Sequence, residues 1–108
     1  MELTPKQRQY LRALGHAQKP VVQIGAKGMG EALFEQIRAQ LLAHELVKIR
    51  FNTESAVEPG DAQADILMQT RSQLVQRRGR TLLLYRRRDH KPSIELPKRM
   101  RAARDASG

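Results

Sequence analysis

Gly25-Ala26-Lys27-Gly28 is a Gly-x-x-Gly loop carrying a lysine, and the apolar run Val21-Val22-Gln23-Ile24 leads straight into it. A helical pattern follows at once, so backbone N–H groups of the loop and the Lys27 ammonium can converge on one anion. The chemistry this favours is phosphate binding. Glycine accepts positive φ and lets a sugar-phosphate chain approach without a Cβ in the way. The same four residues also suit a plain turn, so the charge around them decides between the two readings.

The chain carries a net charge of +9, and that charge is segregated. Residues 1–30 hold five Lys/Arg against one acid, residues 31–70 three against seven, and residues 71–104 twelve against two. One side of the molecule is therefore expected to be strongly positive, a field suited to a polyanion, and nucleic acid is the expected partner. A membrane surface is the rival partner. No basic stretch, however, has the broad apolar face rich in Trp, Phe or Leu that would sink into an interface.

Other constellations lead to less. Gly25 and Gly30 have the glycine spacing of a nucleotide-binding P-loop, but Glu31-Ala32 stands where Lys and Ser/Thr would be required. His44-Glu45 begins like a zinc-protease helix, yet Lys48 occupies the position of the second histidine. Cysteine is absent, and His16, His44 and His90 are scattered. Neither a cofactor, a metal nor a small-molecule substrate is expected, and an enzyme would need a site assembled from distant residues. The rings are Tyr10, Phe34, Phe51 and Tyr85. That is a poor supply for stacking unpaired bases, so recognition should rest on phosphates, 2′-hydroxyls and the shape of folded RNA.

The elements that must position these groups are legible from periodicity. Thr4-Pro5-Lys6-Gln7 is a capped helix start. Tyr10, Leu11 and Leu14 then share a face, Gly15 is placed to end the helix, and Lys6, Arg8 and Arg12 lie off the apolar stripe. Pro20–Ile24 reads as a buried strand. Leu33, Phe34, Ile37 and Leu41 predict a second helix ending near His44. In Leu46–Phe51, Val47, Ile49 and Phe51 alternate with Lys48 and Arg50, which should face solvent. A third helix is expected from about Asp61, carrying Ile66 and Leu67 inward. Gln73–Gln76 and Thr81–Tyr85 form two strands joined by Arg77-Arg78-Gly79-Arg80, a hairpin turn with Gly79 free to take positive φ. Ile94 and Leu96 could make a short edge strand. The order helix-strand-helix-strand-helix-strand-strand implies a single-domain α/β sandwich with a small mixed four-stranded sheet. No apolar run approaches the roughly 20 residues of a membrane span, and no signal-peptide core is present, so a cytoplasmic protein is expected.

Leu3-Thr4-Pro5-Lys6-Gln7, Lys19–Gly25 with its glycine loop, His44–Ile49 and Gly79–Arg86 occur in the order found in the CRM domain, named for chloroplast RNA splicing and ribosome maturation. The chain resembles the small single-domain bacterial members, of the YhbY type, over about residues 2–97. That resemblance implies a fold similar to the C-terminal domain of bacterial translation initiation factor three. It also implies a non-enzymatic RNA-binding protein that associates with ribosomal RNA in precursors of the large ribosomal subunit. A DNA-binding accessory protein is the alternative within nucleic acids, and an enzyme with a dispersed site the alternative from another class. The expected organisation is an RNA-binding domain over residues 1–97, acting as a monomer, and a basic flexible tail over residues 98–108. The expected RNA-contacting residues are Gly25, Ala26, Lys27 and Gly28 of the loop and Lys6, Arg8 and Arg12 of the first helix. Lys48, Arg50, Arg77, Arg78, Arg80 and Arg86 complete the expected RNA-binding set and add long-range attraction.

Overall fold

A computed structural model describes residues 2–18, 22–26 and 28–97 of the chain. Lys27, the first residues of the predicted first strand and the basic tail lie outside the described residues. The elements are α1 (Pro5–His16), β1 (Val22–Ile24), α2 (Glu31–His44), β2 (Leu46–Phe51), α3 (Pro59–Thr70), β3 (Gln73–Arg78) and β4 (Thr81–Tyr85). Their order is the predicted one. The strands form one mixed sheet in the order β1-β2-β4-β3. β1 and β2 are parallel, and β4 runs antiparallel to both β2 and β3.

Alternating side chains divide the core between two faces of the sheet. On one face Val22, Ile24, Val47, Ile49, Phe51, Leu82 and Leu84 meet Phe34, Ile37 and Leu41 of α2 and Ala62 and Ile66 of α3. On the other, Leu46, Val75, Leu83 and Tyr85 meet Leu3 and Leu11, so α1 is the one helix packed on this side. Full burial of one such apolar side chain contributes roughly 1.5–3 kcal/mol. The second face is the thinner of the two.

The thin face is where the sequence reading needs correction. Of the predicted α1 stripe only Leu11 is buried, together with Gln7 and Gly15, while Tyr10 and Leu14 are both 39% exposed. Gly15 does not end the helix; it lies inside it, against Leu83. A Cβ built there would stand 2.5 Å from Leu83 Cδ2, so the glycine permits the helix to approach the sheet. The predicted capping box is present: Thr4 Oγ1 accepts from Gln7 N at 3.1 Å, and Gln7 Oε1 accepts from Thr4 N at 3.0 Å.

Three further boundaries differ. α3 starts at Pro59 rather than Asp61, because proline suits the first helical position. β3 continues through Arg78, leaving Gly79-Arg80 as the hairpin link, with Gly79 at φ 58° as expected. Ile94 and Leu96 form no strand but pack against the Leu3–Leu11–Tyr85 cluster.

That packing depends on Glu45, a buried carboxylate just after α2. Its oxygens accept from Arg88 N (2.8 Å), Ser93 N (2.8 Å), Ser93 Oγ (2.9 Å) and Ile94 N (2.7 Å). Burial pushes the carboxyl up, but these donors together outweigh it and hold its pKa below the ordinary value. Glu45 itself sits at φ 65°, in the left-handed region. The carboxylate thus straps the segment after β4 onto the domain.

Candidate nucleic-acid interface

The strand register places a row of polar residues across the whole sheet. Gln23 pairs with Arg50, Arg50 with Thr81, and Thr81 with Arg78. Directly opposed residues share a face, and this row lies on the α1 side, just past the end of that helix. Gln23, Arg50 and Arg78 are exposed. The neighbouring row holds Lys48, Leu83 and Gln76, with Leu83 covered by Gly15. Together Lys48, Arg50, Gln76, Arg78, Thr81 and His16 line an open groove of about 410 Å³.

A bulge in β3 creates half of this groove. Leu74 pairs with Leu84 and Gln76 with Leu83, so Val75 is an extra residue in the ladder. Val75 belongs to the core under α1 and Gln76 lines the groove, so two successive residues face the same way. Beyond them Arg77 turns to the opposite face, where its guanidinium would collide with a Cβ placed on Gly60 of α3. Arg78 turns toward Arg50. The predicted arginine hairpin tip is therefore resolved into three different environments.

The glycine loop leaves the same end of the sheet, one residue past the Ile24–Phe51 pair. Gly28 takes φ 72°, a conformation glycine adopts without strain. Its N–H donates to Gly25 O at 3.1 Å, so this amide closes a turn and is not free for an anion. Gly25 lies outside the left-handed region. A Cβ there would meet only Asn52 Nδ2 at 3.8 Å, so the position is open to solvent-side approach rather than demanded by backbone strain. Beside the loop, α2 begins at Gly30 with no side chain capping it, and an open groove of about 400 Å³ runs from Gly25 to Gln36. The first-turn amides of a helix lack intrahelical partners, which leaves donors directed at this groove.

The remaining predicted residues separate into free cations and structural ones. Arg80 donates from Nε to Phe51 O and from Nη2 to Asn52 O, both at 3.0 Å, and its Nη1 reaches Glu58 Oε1 at 3.3 Å. Asn52 N in turn donates to Ile24 O at 2.8 Å, so Arg80 braces the base of the glycine loop. Lys48 Nζ donates to Gln18 O at 2.6 Å and pins the stretch following α1 across β2. Arg86 lies at the far end of the sheet, where Nη1 donates to Thr70 O at 3.3 Å. Lys6 stands near that far end too, since Leu3 N donates to Gln73 Oε1. Arg8 and Arg12 are half-buried along α1. The structure brings Gly25, Ala26, Gly28, Arg50 and Arg78 to one end with Lys48 and Arg80 behind them; Arg77 lies at that end on the opposite face, and Lys6 and Arg86 are not brought there.

Gln23 and Glu45 are the residues that sequence reasoning missed. Gln23 carried a signal, its polar place within an apolar strand. Glu45 carried none beyond its position, because its donors come from residues 43 to 49 positions away.

These features define an α/β domain with a mixed four-stranded sheet that carries arginines at one end. The chain belongs to the CRS1 / YhbY (CRM) domain family, whose model matches residues 3–86. It is 35% identical over 95 residues to the Bacillus subtilis (strain 168) protein named Probable RNA-binding protein YqeI, covering 88% of this chain and 99% of that one. A Haemophilus influenzae protein named RNA-binding protein is 32% identical over 97 residues, covering 90% of this chain and 97% of the relative. The solution structure of the hypothetical protein SAV1595 from Staphylococcus aureus superposes with a TM-score of 0.69 at 36% identity, over 89% of this chain and all of that one.

Proposed function

We propose that this protein is a non-enzymatic RNA-binding protein of the cytoplasm that associates with ribosomal RNA in precursors of the large subunit and assists their maturation. The observation that carries RNA binding is the row Gln23–Arg50–Thr81–Arg78, set beside the Gly25–Gly28 loop and the uncapped start of α2. Relatives that match nearly end to end bear RNA-binding names. Their resemblance to a family named for ribosome maturation supports the ribosomal assignment.

In this reading the sugar-phosphate chain lies along the sheet end. Arg50 and Arg78 each engage phosphate in two-toothed fashion from either side of Thr81. The α2 amides and Lys27 hold a further phosphate at the glycine loop. Arg80 and Lys48 position backbone and do not touch RNA. Few rings are available: Phe34, Phe51 and Tyr85 are buried. Base stacking therefore plays little part, and the surface reads the shape of a folded RNA.

The test compares binding to a folded ribosomal RNA fragment and to duplex DNA of equal length at one physiological salt concentration, with sedimentation of the protein across ribosomal particles. Preference for the RNA and co-migration with large-subunit precursors are expected. Equal affinity for the DNA, with recovery on chromosomal DNA alone, would support the DNA-binding alternative instead.

A further inference from the structure

The end of the sheet opposite the glycine loop is also cationic, and the proposed interface makes no use of it. There Gln73 and Leu46 both pair with Tyr85. This row lies four residues along β4 from Thr81, roughly 13 Å away at the usual strand rise. An open groove of about 430 Å³ at this end is lined by Arg71, Tyr85, Arg86, Arg87, Arg88 and a single acid, Asp89.

Two of these arginines are already committed. Arg88 donates to the Leu42, Ala43 and Lys91 carbonyls, and Arg86 to that of Thr70. Arg71 and Arg87 differ. Both are exposed, and neither side chain has a hydrogen bond or ion pair with a described residue. Arg71 ends α3 at φ 54°, ψ 41°, a left-handed position that Gly or Asn normally fills. An arginine held there is not explained by the fold.

Tyr85 adds an independent observation. Its side chain is fully buried, it lines this groove, and its hydroxyl has no hydrogen-bond partner. Burial, then the nearby Glu45 charge, raise its pKa, so the phenol keeps its proton and is a donor lacking an acceptor. A buried, unpartnered donor on a residue that lines the same groove as two uncommitted arginines calls for an oxyanion.

We infer that Arg71, Arg87 and the Tyr85 hydroxyl form a second phosphate-binding site, so that one domain bridges two segments of folded RNA at opposite ends of its sheet. The inference rests on the RNA-binding reading of the glycine-loop end. Two separated contacts would fix the relative placement of two RNA helices, which a single patch cannot do.

The full chain can be tested with one RNA hairpin prepared in two forms, biotinylated and fluorescent. Fluorescent hairpin recovered on streptavidin beads through the protein reports bridging, and fluorescence anisotropy reports affinity for a single hairpin. The double variant Arg71→Gly, Arg87→Gln should lose bridging at least tenfold while single-hairpin affinity changes less than threefold. Arg71→Gly suits the local φ, so the melting temperature should not fall. Tyr85→Phe alters no charge and should still reduce bridging at least threefold.

Unchanged bridging in the double variant overturns the inference. So does a tenfold loss of single-hairpin affinity, which would mean one continuous surface, and so does binding of a poly-glutamate peptide at this end without RNA bridging. The pair Arg50→Glu, Arg78→Glu separates the two readings. If it leaves single-hairpin affinity intact, the glycine-loop interface fails, while the result for Arg71 and Arg87 still decides the second site.

Discussion

Arg50 and Arg78 flank Thr81 from opposite sides, each its direct partner in the sheet, and both side chains rise from the face next to α1. Two strand spacings put their backbones about 10 Å apart. Close to the screening length of physiological salt, the two charges repel each other weakly yet can act on neighbouring phosphates.

Replacing either arginine by alanine should weaken RNA binding by about 1.5–3 kcal/mol, the range for a hydrogen bond to a charged group. Both are exposed, so thermal melting should hardly move. Arg80→Ala should show the reverse balance, with a lower melting temperature and a loosened loop, because its bonds are to Phe51 and Asn52 carbonyls. Binding titrations beside melting curves distinguish the two classes.

At the glycine loop, Lys27→Glu should cost at least about 1–2 kcal/mol of RNA affinity in a well-folded protein. Gly28→Val is a compound test, since a β-branched residue at φ 72° strains the turn. Gly25→Ala is cleaner: the added methyl meets nothing closer than 3.8 Å, so the fold should tolerate it. Reduced RNA affinity with unchanged melting would show that the backbone there is approached closely. No change in affinity for either Lys27→Glu or Gly25→Ala reduces the loop to a turn.

Gly15→Ala should destabilise the domain by about 1–3 kcal/mol, because its methyl must displace Leu83 from 2.5 Å. Leu83→Val in the same molecule should recover part of that loss. Equal melting temperatures for Gly15→Ala and the parent protein would contradict the close packing of α1.

Glu45 gives the pH dependence. Its folded pKa is lowered relative to the ordinary 4.5, so its contribution is fully present above that value. The contribution is lost as pH falls through the folded pKa, because protonation then favours the unfolded chain. Glu45→Gln should remove this acid sensitivity, cost about 1–3 kcal/mol near neutrality, and speed amide exchange at Arg88, Ser93 and Ile94. Amide exchange read by NMR at pH 7 and pH 4 checks both points.

For the charge as a whole, neutralising about five phosphates predicts that log affinity falls with log salt at a slope of about −4. Deleting residues 98–108 should flatten the slope and leave preference among RNAs intact. Lost discrimination with an unchanged slope would sink the idea of a nonspecific basic arm.

What could be read without the structure was whatever repeats locally. Phe34, Ile37 and Leu41 are spaced by the helix itself, and Val47, Ile49 and Phe51 by the strand, so those faces were legible. Gly15 was misread because a glycine late in a helix looks like a stop, and only Leu83, far along the chain, shows why it is there. Cations were the least legible. Arg80, braced on carbonyls, and Arg78, free in the groove, are the same letter two places apart, and nothing local separates their partners.

The extra residue at Val75 has a consequence for how this chain can vary. The side of the sheet on which Arg78 emerges depends on the bulge, since drawing Val75 into a regular ladder without losing a residue would exchange Arg77 and Arg78 between the two faces. Conservative substitutions along that stretch leave the parity intact. Straightening the bulge at constant length would send Arg78 toward α3 and bring Arg77 up beside Arg50, preserving composition, charge and even the Arg-Arg pair, whereas deleting Val75 outright would leave Arg78 opposite Thr81. In the straightened strand the guanidinium beside Arg50 would belong to a different residue. In this segment the irregularity of the pairing is itself a trait, separable from the identities of the residues.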